Sequence, residues 1–136
     1  MNKVGFVYDD IFLKHMPPPW HPERKERLTS VIEALKTAGL WDSLIQIRPK
    51  RASYDEIALV HSREYIERIQ NFSGESLDPD TYVSIESLDA ALHAAGAVIE
   101  AVDRCGKGDI YRAFCAVRPP GHHAEADAAM GQGAWR

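Results

Sequence analysis

Two adjacent histidines are the residues of this chain best suited to chemistry. His122 and His123 follow an Arg-Pro-Pro-Gly segment at residues 118–121. Imidazole titrates near neutral pH and therefore suits general acid/base work, and repulsion between neighbouring charged rings separates their titrations. Proline and glycine restrict the preceding backbone and let it come close to a ligand. The pattern predicts an acid/base pair that needs something to act on, usually a metal-bound water.

Metal binding by the same segment is a second interpretation. His122, His123, Glu125 and Asp127 lie within six residues of one another, and neutral imidazole and carboxylate are both zinc ligands. These four side chains are crowded on one loop, and no second set of ligands at matching spacing occurs elsewhere. We therefore expect no self-contained metal site. The alternative left open is an oligomeric metalloenzyme in which this loop binds metal across an interface.

The histidine pair follows the last of three predicted strands. Apolar runs at residues 4–8, 45–48 and 113–117 are typical of buried strands. Because helical patterns alternate with them, we expect an α/β fold with a parallel sheet in one domain, residues 1–136. Ligand sites in such sheets lie at the C-terminal ends of the strands. His122 and His123 fall where that rule places a site.

Four helices are predicted between these strands. The first opens at Pro22 and ends at Gly39, and Ser53-x-x-Glu56 is a capping box for a second that runs to residue 60. Ser62 starts the third, whose apolar face contains Tyr65, Ile66, Ile69 and Phe72. The longest covers residues 87–105 and is capped by Gly106, with an apolar stripe of Leu88, Ala91, Leu92, Ala95, Val98, Ile99 and Val102. Residues 73–84 are interpreted as a loop.

Composition excludes several classes of function. A net charge of -4 gives no broad basic surface, so nucleic-acid binding is not expected. No apolar run reaches the roughly 20 residues that span a bilayer, and the N-terminus does not have the pattern of a signal peptide. Two cysteines, Cys105 and Cys115, do not form a disulfide framework. The chain is predicted to be a cytoplasmic protein with reduced thiols, without membrane or nucleic-acid partners.

The remaining polar residues have ordinary structural interpretations. His61 is expected to form a local hydrogen bond, His93 to lie on the surface of the long helix, and His15 and His21 to pack within a proline-rich loop. The charged run at residues 23–27 is interpreted as a solvated helix start in which one arginine could point inward and be paired.

Several segments together resemble the zinc-dependent deacetylase superfamily, which includes histone deacetylases, acetoin-utilization proteins and acetylpolyamine amidohydrolases. They are Tyr8-Asp9-Asp10, His21-Pro22-Glu23-Arg24, Val60-His61-Ser62, Asp78-Pro79-Asp80 and residues 118–125. Their order and spacing are similar to those of the bacterial, class-II-like branch. The resemblance implies a three-layer αβα, arginase/deacetylase-like fold of which this chain supplies the N-terminal portion, about three strands.

The resemblance also implies roles for individual residues. His123 would be the general base on a zinc-bound water, and His122 would tune charge and stabilise the transition state. The aspartate that holds substrate at the rim of the site would be Asp78, with Asp80 as the alternative, and Gly131 would also bind substrate. Arg27 would line an internal pocket below it.

The family's zinc ligands, an Asp-x-His motif and a separate aspartate, come later than the segments found here, and so does its catalytic tyrosine. We therefore expect no bound zinc and no deacetylase activity from this chain alone, and an acetylated amine substrate only if the site is completed. The parent activity would be hydrolysis of acetyl-lysine or acetylpolyamine amides. The alternative is a non-catalytic binding or assembly module with the same fold. Because the third strand would leave an open edge, we expect a homo-oligomer.

Overall fold

A computed structural model of the protein describes residues 2–71, 76–78, 81–82, 86–129 and 135, with the backbone alone over 76–78 and 81–82. The strands are β1 (Val4–Val7), β2 (Leu44–Ile47), β3 (Ser76–Asp78), β4 (Thr81–Tyr82) and β5 (Arg112–Cys115). The α-helices are α1 (Glu26–Thr37), α2 (Tyr54–Ile57), α3 (Arg63–Gln70) and α4 (Ser87–Gly106). Short 3-10 helices cover Asp10–Lys14 and Trp41–Ser43.

The strands predicted from the apolar runs form a parallel sheet in the order β2-β1-β5. Hydrogen bonding continues just past their C-terminal ends. The Tyr8 amide donates to the Ile47 carbonyl at 3.1 Å, and the Ala116 amide donates to the Val7 carbonyl at 3.0 Å. The three predicted strands are confirmed, and their C-terminal ends meet at one end of the sheet. Their predicted burial is confirmed for β1, whereas β2 has one buried residue and β5 has none.

The two faces of the sheet are covered by different helices. On one face, the Phe6 ring of β1 stacks on the Phe114 ring of β5 with centroids 5.8 Å apart, and Leu28 of α1 belongs to the same buried cluster. Successive strand residues point to opposite faces. On the other face, accordingly, the Cys115 thiol lies 3.8 Å from the carbonyl oxygen of Ala97 in α4. The order helix, sheet, helix confirms the predicted layered α/β fold.

The first helix begins later than predicted, at Glu26 instead of Pro22. The physical reason is Glu23, whose side chain is buried and cannot lie on the solvated first turn of a helix. Residues 21–25 therefore form turns ahead of α1. The predicted end is confirmed, because Gly39 adopts the left-handed conformation at φ 73°.

The predicted caps of the next two helices are confirmed. The Ser53 hydroxyl accepts the Glu56 amide at 3.1 Å, and the Glu56 carboxylate accepts the Ser53 amide at 2.9 Å. The Ser62 hydroxyl accepts the amide of Tyr65 at 3.2 Å. On α3, the predicted apolar residues Tyr65, Ile66 and Ile69 are buried, and Phe72 lies outside the described residues.

The interpretation of residues 73–84 as loop is wrong in part. β3 and β4 pair there as a two-stranded antiparallel ribbon, with Ser76 opposite Tyr82. Main-chain pairing over so few residues needs no apolar run, and a periodicity argument cannot detect it.

α4 has its predicted extent, and its predicted apolar stripe is confirmed in part: Ala91 and Leu92 are buried, and Leu88, Ala95 and Ile99 pack against the same core cluster. Val98 and Val102 are 50% and 64% exposed, and the buried positions are mostly small: Ser87, Ala90, Ala91, Leu92, Gly96, Ala97 and Ala101. A Cβ atom on Gly96 would overlap the Lys50 carbonyl oxygen, so α4 lies unusually close to the segment after β2. Only small residues fit where α4 and this segment come so close. Val98 and Val102 of the predicted stripe lie outside this interface. The helix ends at Gly106, and the left-handed glycine is Gly108 at φ 79° instead.

None of the helices in the described part of the chain has the length and apolar character needed to cross a membrane.

Candidate functional site

The histidine pair lies on the loop that leaves the C-terminal end of β5, where the sequence predicted it. A cis peptide bond joins Arg118 to Pro119, and the Ala124 amide donates to the Gly121 carbonyl at 3.0 Å to close a turn around the pair. His122 and His123 are both exposed, with ring centroids 4.1 Å apart and planes inclined by 51°. Two accessible imidazoles in contact can exchange protons with a molecule bound at this edge of the sheet.

Arg118 holds the start of this loop from inside the protein. Its side chain is completely buried. One terminal nitrogen, Nη1, donates to the carbonyl oxygens of Phe12 at 2.8 Å and His15 at 3.0 Å. The arginine therefore fastens the histidine loop to the segment that follows β1.

Glu23 neutralises the buried arginine through a two-pronged ion pair. Arg118 Nε donates to Oε1 at 2.7 Å and Nη2 donates to Oε2 at 2.9 Å. Arg27 Nη1 also donates to Oε1, at 2.8 Å. Burial alone would raise the pKa of the Glu23 carboxyl, but the hydrogen bonds and charge of Arg118, helped by Arg27, outweigh it and hold that pKa below its usual value. Glu23 is a stable carboxylate at neutral pH.

His15 completes this buried polar group. Its Nδ1 lies 2.6 Å from the Ser87 hydroxyl, and its Nε2 lies 3.8 Å from the Glu23 carboxylate. Burial, followed by the positive charge of Arg118, lowers the pKa of His15 to about 4, although Glu23 acts in the opposite direction. The imidazole is therefore neutral at pH 7. Its neighbour His21 is also buried and accepts the Glu23 amide at Nδ1, 3.1 Å away.

The far side of the histidine loop is fastened by α3 and the residue preceding its cap. His61 Nδ1 lies 2.9 Å from the Ala126 carbonyl oxygen, and Arg68 Nη2 donates to the Asp127 carbonyl at 2.7 Å. This hydrogen bond of His61 is long-range, because the carbonyl is 65 residues away along the chain, and the predicted local hydrogen bond stays a prediction. His61 is buried because it packs between the rings of Tyr65 and Trp135, which spacing along the chain could not show. His93 does lie partly exposed on α4, with Nδ1 2.8 Å from the Asp89 carbonyl oxygen.

An apolar cavity of about 670 Å³ opens beside the pair. Val60, Ile99, Val117 and Pro120 contribute to its wall, and His122 lies at its border. The volume is within the range of small-molecule pockets. Only one histidine of the pair lines it, so the cavity flanks the pair and does not enclose it.

The donors described in this structure do not fit a zinc ion. A structural or catalytic zinc takes three or four protein ligands. Over the described ranges, no group of three or more His, Cys, Asp or Glu side chains is close enough to hold a metal, even though His122, His123, Glu125 and Asp127 are all described. The His122 and His123 rings are in contact, but neither Glu125 nor Asp127 joins them to complete a group of three ligands.

The other predicted site residues are placed as follows. Arg27 has a half-exposed side chain and reaches the buried ion pair from outside through Glu23. The backbone of Asp78 is in β3, and its side chain lies outside the described residues, as do Asp80 and Gly131.

Arg118 and Glu23 are the site residues that the sequence reasoning missed. The sequence predicts that the charged run at residues 23–27 is a solvated helix start in which one arginine could point inward, whereas the buried residue is Glu23. Arg118 directly follows the apolar run at residues 113–117, and a charged side chain can be buried there only with a partner. That signal could have prompted a search for an upstream carboxylate.

Comparison with known proteins gives a consistent result. Residues 21–133 match the model of the histone deacetylase domain. A probable deacetylase of Archaeoglobus fulgidus is 35% identical over 126 residues, which are 90% of this chain and 35% of that protein. The human polyamine deacetylase HDAC10 is 34% identical over 96% of this chain and 20% of its own length. In the crystal structure of the HDA15 HD domain, the match has a TM-score of 0.87 at 29% identity and covers 96% of this chain and 40% of that one.

The alignments cover most of this chain but only part of each related protein. Nearly all of this chain aligns with each of these proteins, whereas it spans about a third of the Archaeoglobus protein and less of the human one. The fold is that of the N-terminal portion of the larger domain, an arginase/deacetylase-like α/β fold.

Proposed function

This chain belongs to the histone deacetylase family, and we propose that it supplies the acid/base half of a zinc-dependent deacetylase site. The reaction would be hydrolysis of the acetyl-amide bond of an acetyl-lysine or an acetylpolyamine. The observation that supports the proposal most is the paired exposed imidazoles of His122 and His123, 4.1 Å apart at the C-terminal edge of the sheet.

In this proposal the histidines move protons and the rest of the loop holds them in place. His123 accepts a proton from the attacking water and returns it to the leaving amine, while His122 stabilises the developing charge. In this family zinc supplies an acidified water and polarises the carbonyl group. Because the described donors do not form its ligand set, we assign no zinc ligand to this chain.

The 136-residue chain by itself is accordingly proposed to be inactive. Amide hydrolysis at neutral pH needs a strong nucleophile and stabilisation of the oxyanion, and a histidine pair supplies neither. We expect purified protein to contain less than stoichiometric zinc by elemental analysis. We expect no turnover of an acetyl-lysine peptide or of acetylspermidine.

A chimera tests the positive half of the proposal. This chain would replace the matching segment of the Archaeoglobus relative, which is similar over 126 residues. The zinc-loaded chimera should hydrolyse the acetyl-lysine peptide, and His123→Ala should lower kcat roughly 100-fold or more. His93→Ala is the matched control and should keep activity, because the His93 ring is partly exposed and bonds to Asp89 on its own helix.

Two results would contradict the proposal. A folded, zinc-loaded chimera whose rate does not change with His123→Ala would remove the acid/base role. Stoichiometric zinc and turnover in the isolated chain, both lost with His123→Ala, would instead favour the oligomeric metalloenzyme with metal on the His122, His123, Glu125 and Asp127 loop.

A non-catalytic binding module is the second candidate, and the apolar cavity beside His122 favours it. Calorimetry with acetylspermidine and the acetyl-lysine peptide distinguishes the two. Saturable binding to the isolated chain without turnover, together with an inactive chimera, would support the module.

We further propose that the chain self-associates and that it resides in the cytoplasm. The open edge of β5, with Phe114 52% exposed, supports the first proposal. Cys105 and Cys115 are both free, which is usual for the reducing cytoplasm and supports the second.

A further inference from the structure

The buried ion pair below the histidine loop is more extensive than charge neutralisation requires. Arg118 uses all three of its nitrogens in four hydrogen bonds between 2.7 and 3.0 Å, to Glu23, Phe12 and His15. Its side chain is completely buried, and that of Glu23 is 4% exposed. A planar guanidinium fixes the direction of each bond, so these partners define both the position and the orientation of Arg118.

This cluster joins the segments that border the candidate site. Phe12 and His15 belong to the segment after β1, and Glu23 belongs to the turn before α1. Arg118 is four residues before His122, and the intervening residues are two prolines and a glycine. Each proline fixes one backbone dihedral, and the Ala124 amide bonded to the Gly121 carbonyl holds the glycine in a turn, so an orientation set at Arg118 is passed on to the histidines.

Stability alone does not explain such an arrangement. A buried ion pair is costly to desolvate, and replacing one with apolar residues of similar volume is often neutral or stabilising. What an apolar pair cannot supply is direction, since hydrophobic contact has none.

We propose that Arg118 and Glu23 are positioning residues for the histidine pair: their two-pronged ion pair sets the backbone course that brings the His122 and His123 rings together. The importance of this positioning for catalysis rests on the proposed function. The geometry itself can be tested in the isolated chain, without zinc or turnover.

The test compares graded variants of the isolated protein. Glu23→Gln removes the charge at nearly constant volume, Glu23→Asp keeps the charge one methylene further away, and Arg118→Lys keeps the charge but loses the planar fork. Glu100→Gln is the matched control, because Glu100 pairs with Arg104 at 2.8 Å on α4, away from the loop.

Two readouts separate positioning from general stability. Thermal unfolding reports the stability of each variant. The nuclear Overhauser contact between the two rings and the imidazole nitrogen shifts of His122 and His123, recorded at one fixed pH well below each unfolding midpoint, report the geometry of the pair in the folded state.

We expect the ring contact to be lost or weakened and the nitrogen shifts to change in Glu23→Gln and Arg118→Lys, with a smaller change in Glu23→Asp and none in Glu100→Gln. Folded variants with lower melting temperatures but unchanged imidazole signals would overturn the proposal. So would loss of folding in all three variants, since the ion pair would then serve the whole fold and not the loop. An inactive chimera with altered imidazole signals in these variants would reject the proposed function and leave the positioning role intact.

Discussion

His15 is a buried imidazole that the fold keeps uncharged. Burial and the nearby Arg118 charge lower its pKa to about 4, against an ordinary value of 6.5. At a pH between these two values, His15 binds fewer protons in the folded protein than in the unfolded chain. The stability of the protein must therefore fall as the pH decreases from 6.5 towards 4. Below about pH 4 both states carry the proton and this contribution stays constant.

The corresponding prediction concerns pH-dependent unfolding. Between pH 7 and pH 5, we expect the wild-type protein to lose part of its free energy of unfolding, on the order of 1 to 2 kcal/mol, measured by urea denaturation. His15→Asn, whose amide can occupy the position of Nδ1 beside Ser87, should show a smaller loss over the same interval. The pKa of Glu23 is also lowered, so protonation of its carboxylate removes stability at a lower pH than the protonation of an ordinary glutamate. An equal pH dependence in wild type and His15→Asn would contradict the role given to His15.

At the scale of elements, α4 shows how a single close approach determines a packing interface. Gly96 faces the Lys50 carbonyl with no room for a Cβ atom. Hydrogen bonding reinforces the contact, because the Ala52 amide donates to the Leu92 carbonyl at 3.0 Å. The small-residue face is thus in contact with the chain that follows β2.

Two glycine substitutions in α4 test this interface. Gly96→Ala should destabilise the protein by about 1 to 3 kcal/mol or more, because either the helix or the strand-following segment has to shift. Gly106 is the last residue of the same helix, and a Cβ atom added there would meet nothing within 4 Å. Gly106→Ala should therefore be neutral or stabilising by up to about 1 kcal/mol. Chemical denaturation of both variants measures the difference. Similar unfolding free energies for the two would show that the close approach does not limit the packing.

Local signals predicted the elements well and their surfaces less well. The capping box at Ser53 and the strand at residues 4–7 depend on neighbouring residues, and both are present. The buried face of α4 depends on a contact with Lys50, 46 positions before Gly96 in the sequence, and was predicted only in part. The inward turn of Glu23 similarly depends on a partner 95 residues away. Patterns along the chain carry little information about such pairs.

At the scale of the whole molecule, some of the exposed apolar side chains lie at the sheet edge and on α4. Phe114 and Tyr111 are 52% and 62% exposed at β5, and Val98 and Val102 are exposed on the helix. Among the strands that the structure describes, β5 lies at an edge of the sheet, where main-chain groups are available for pairing. An edge strand beside apolar surface is a site of association.

Self-association is therefore expected in solution. Light scattering at micromolar concentration should give a mass above the 15.2 kDa of one chain. Phe114→Lys should shift the protein towards that single-chain mass, since an inserted charge opposes edge pairing. Asn2→Lys, which adds the same charge at an exposed position ahead of β1, controls for net charge. A single-chain mass for the wild type across the concentration range would contradict the prediction.

The hydrogen bonds that hold the histidine loop join distant parts of the sequence: 95 residues separate Glu23 from Arg118, and 65 separate His61 from Ala126. During synthesis on the ribosome, Glu23 emerges long before Arg118 exists to pair with it. The carboxylate must then remain hydrated, and the segment around it cannot take its final buried place. Closing such long loops has an entropic cost that is recovered only when both ends meet. The histidine loop should therefore be among the last regions to order as the newly made chain folds.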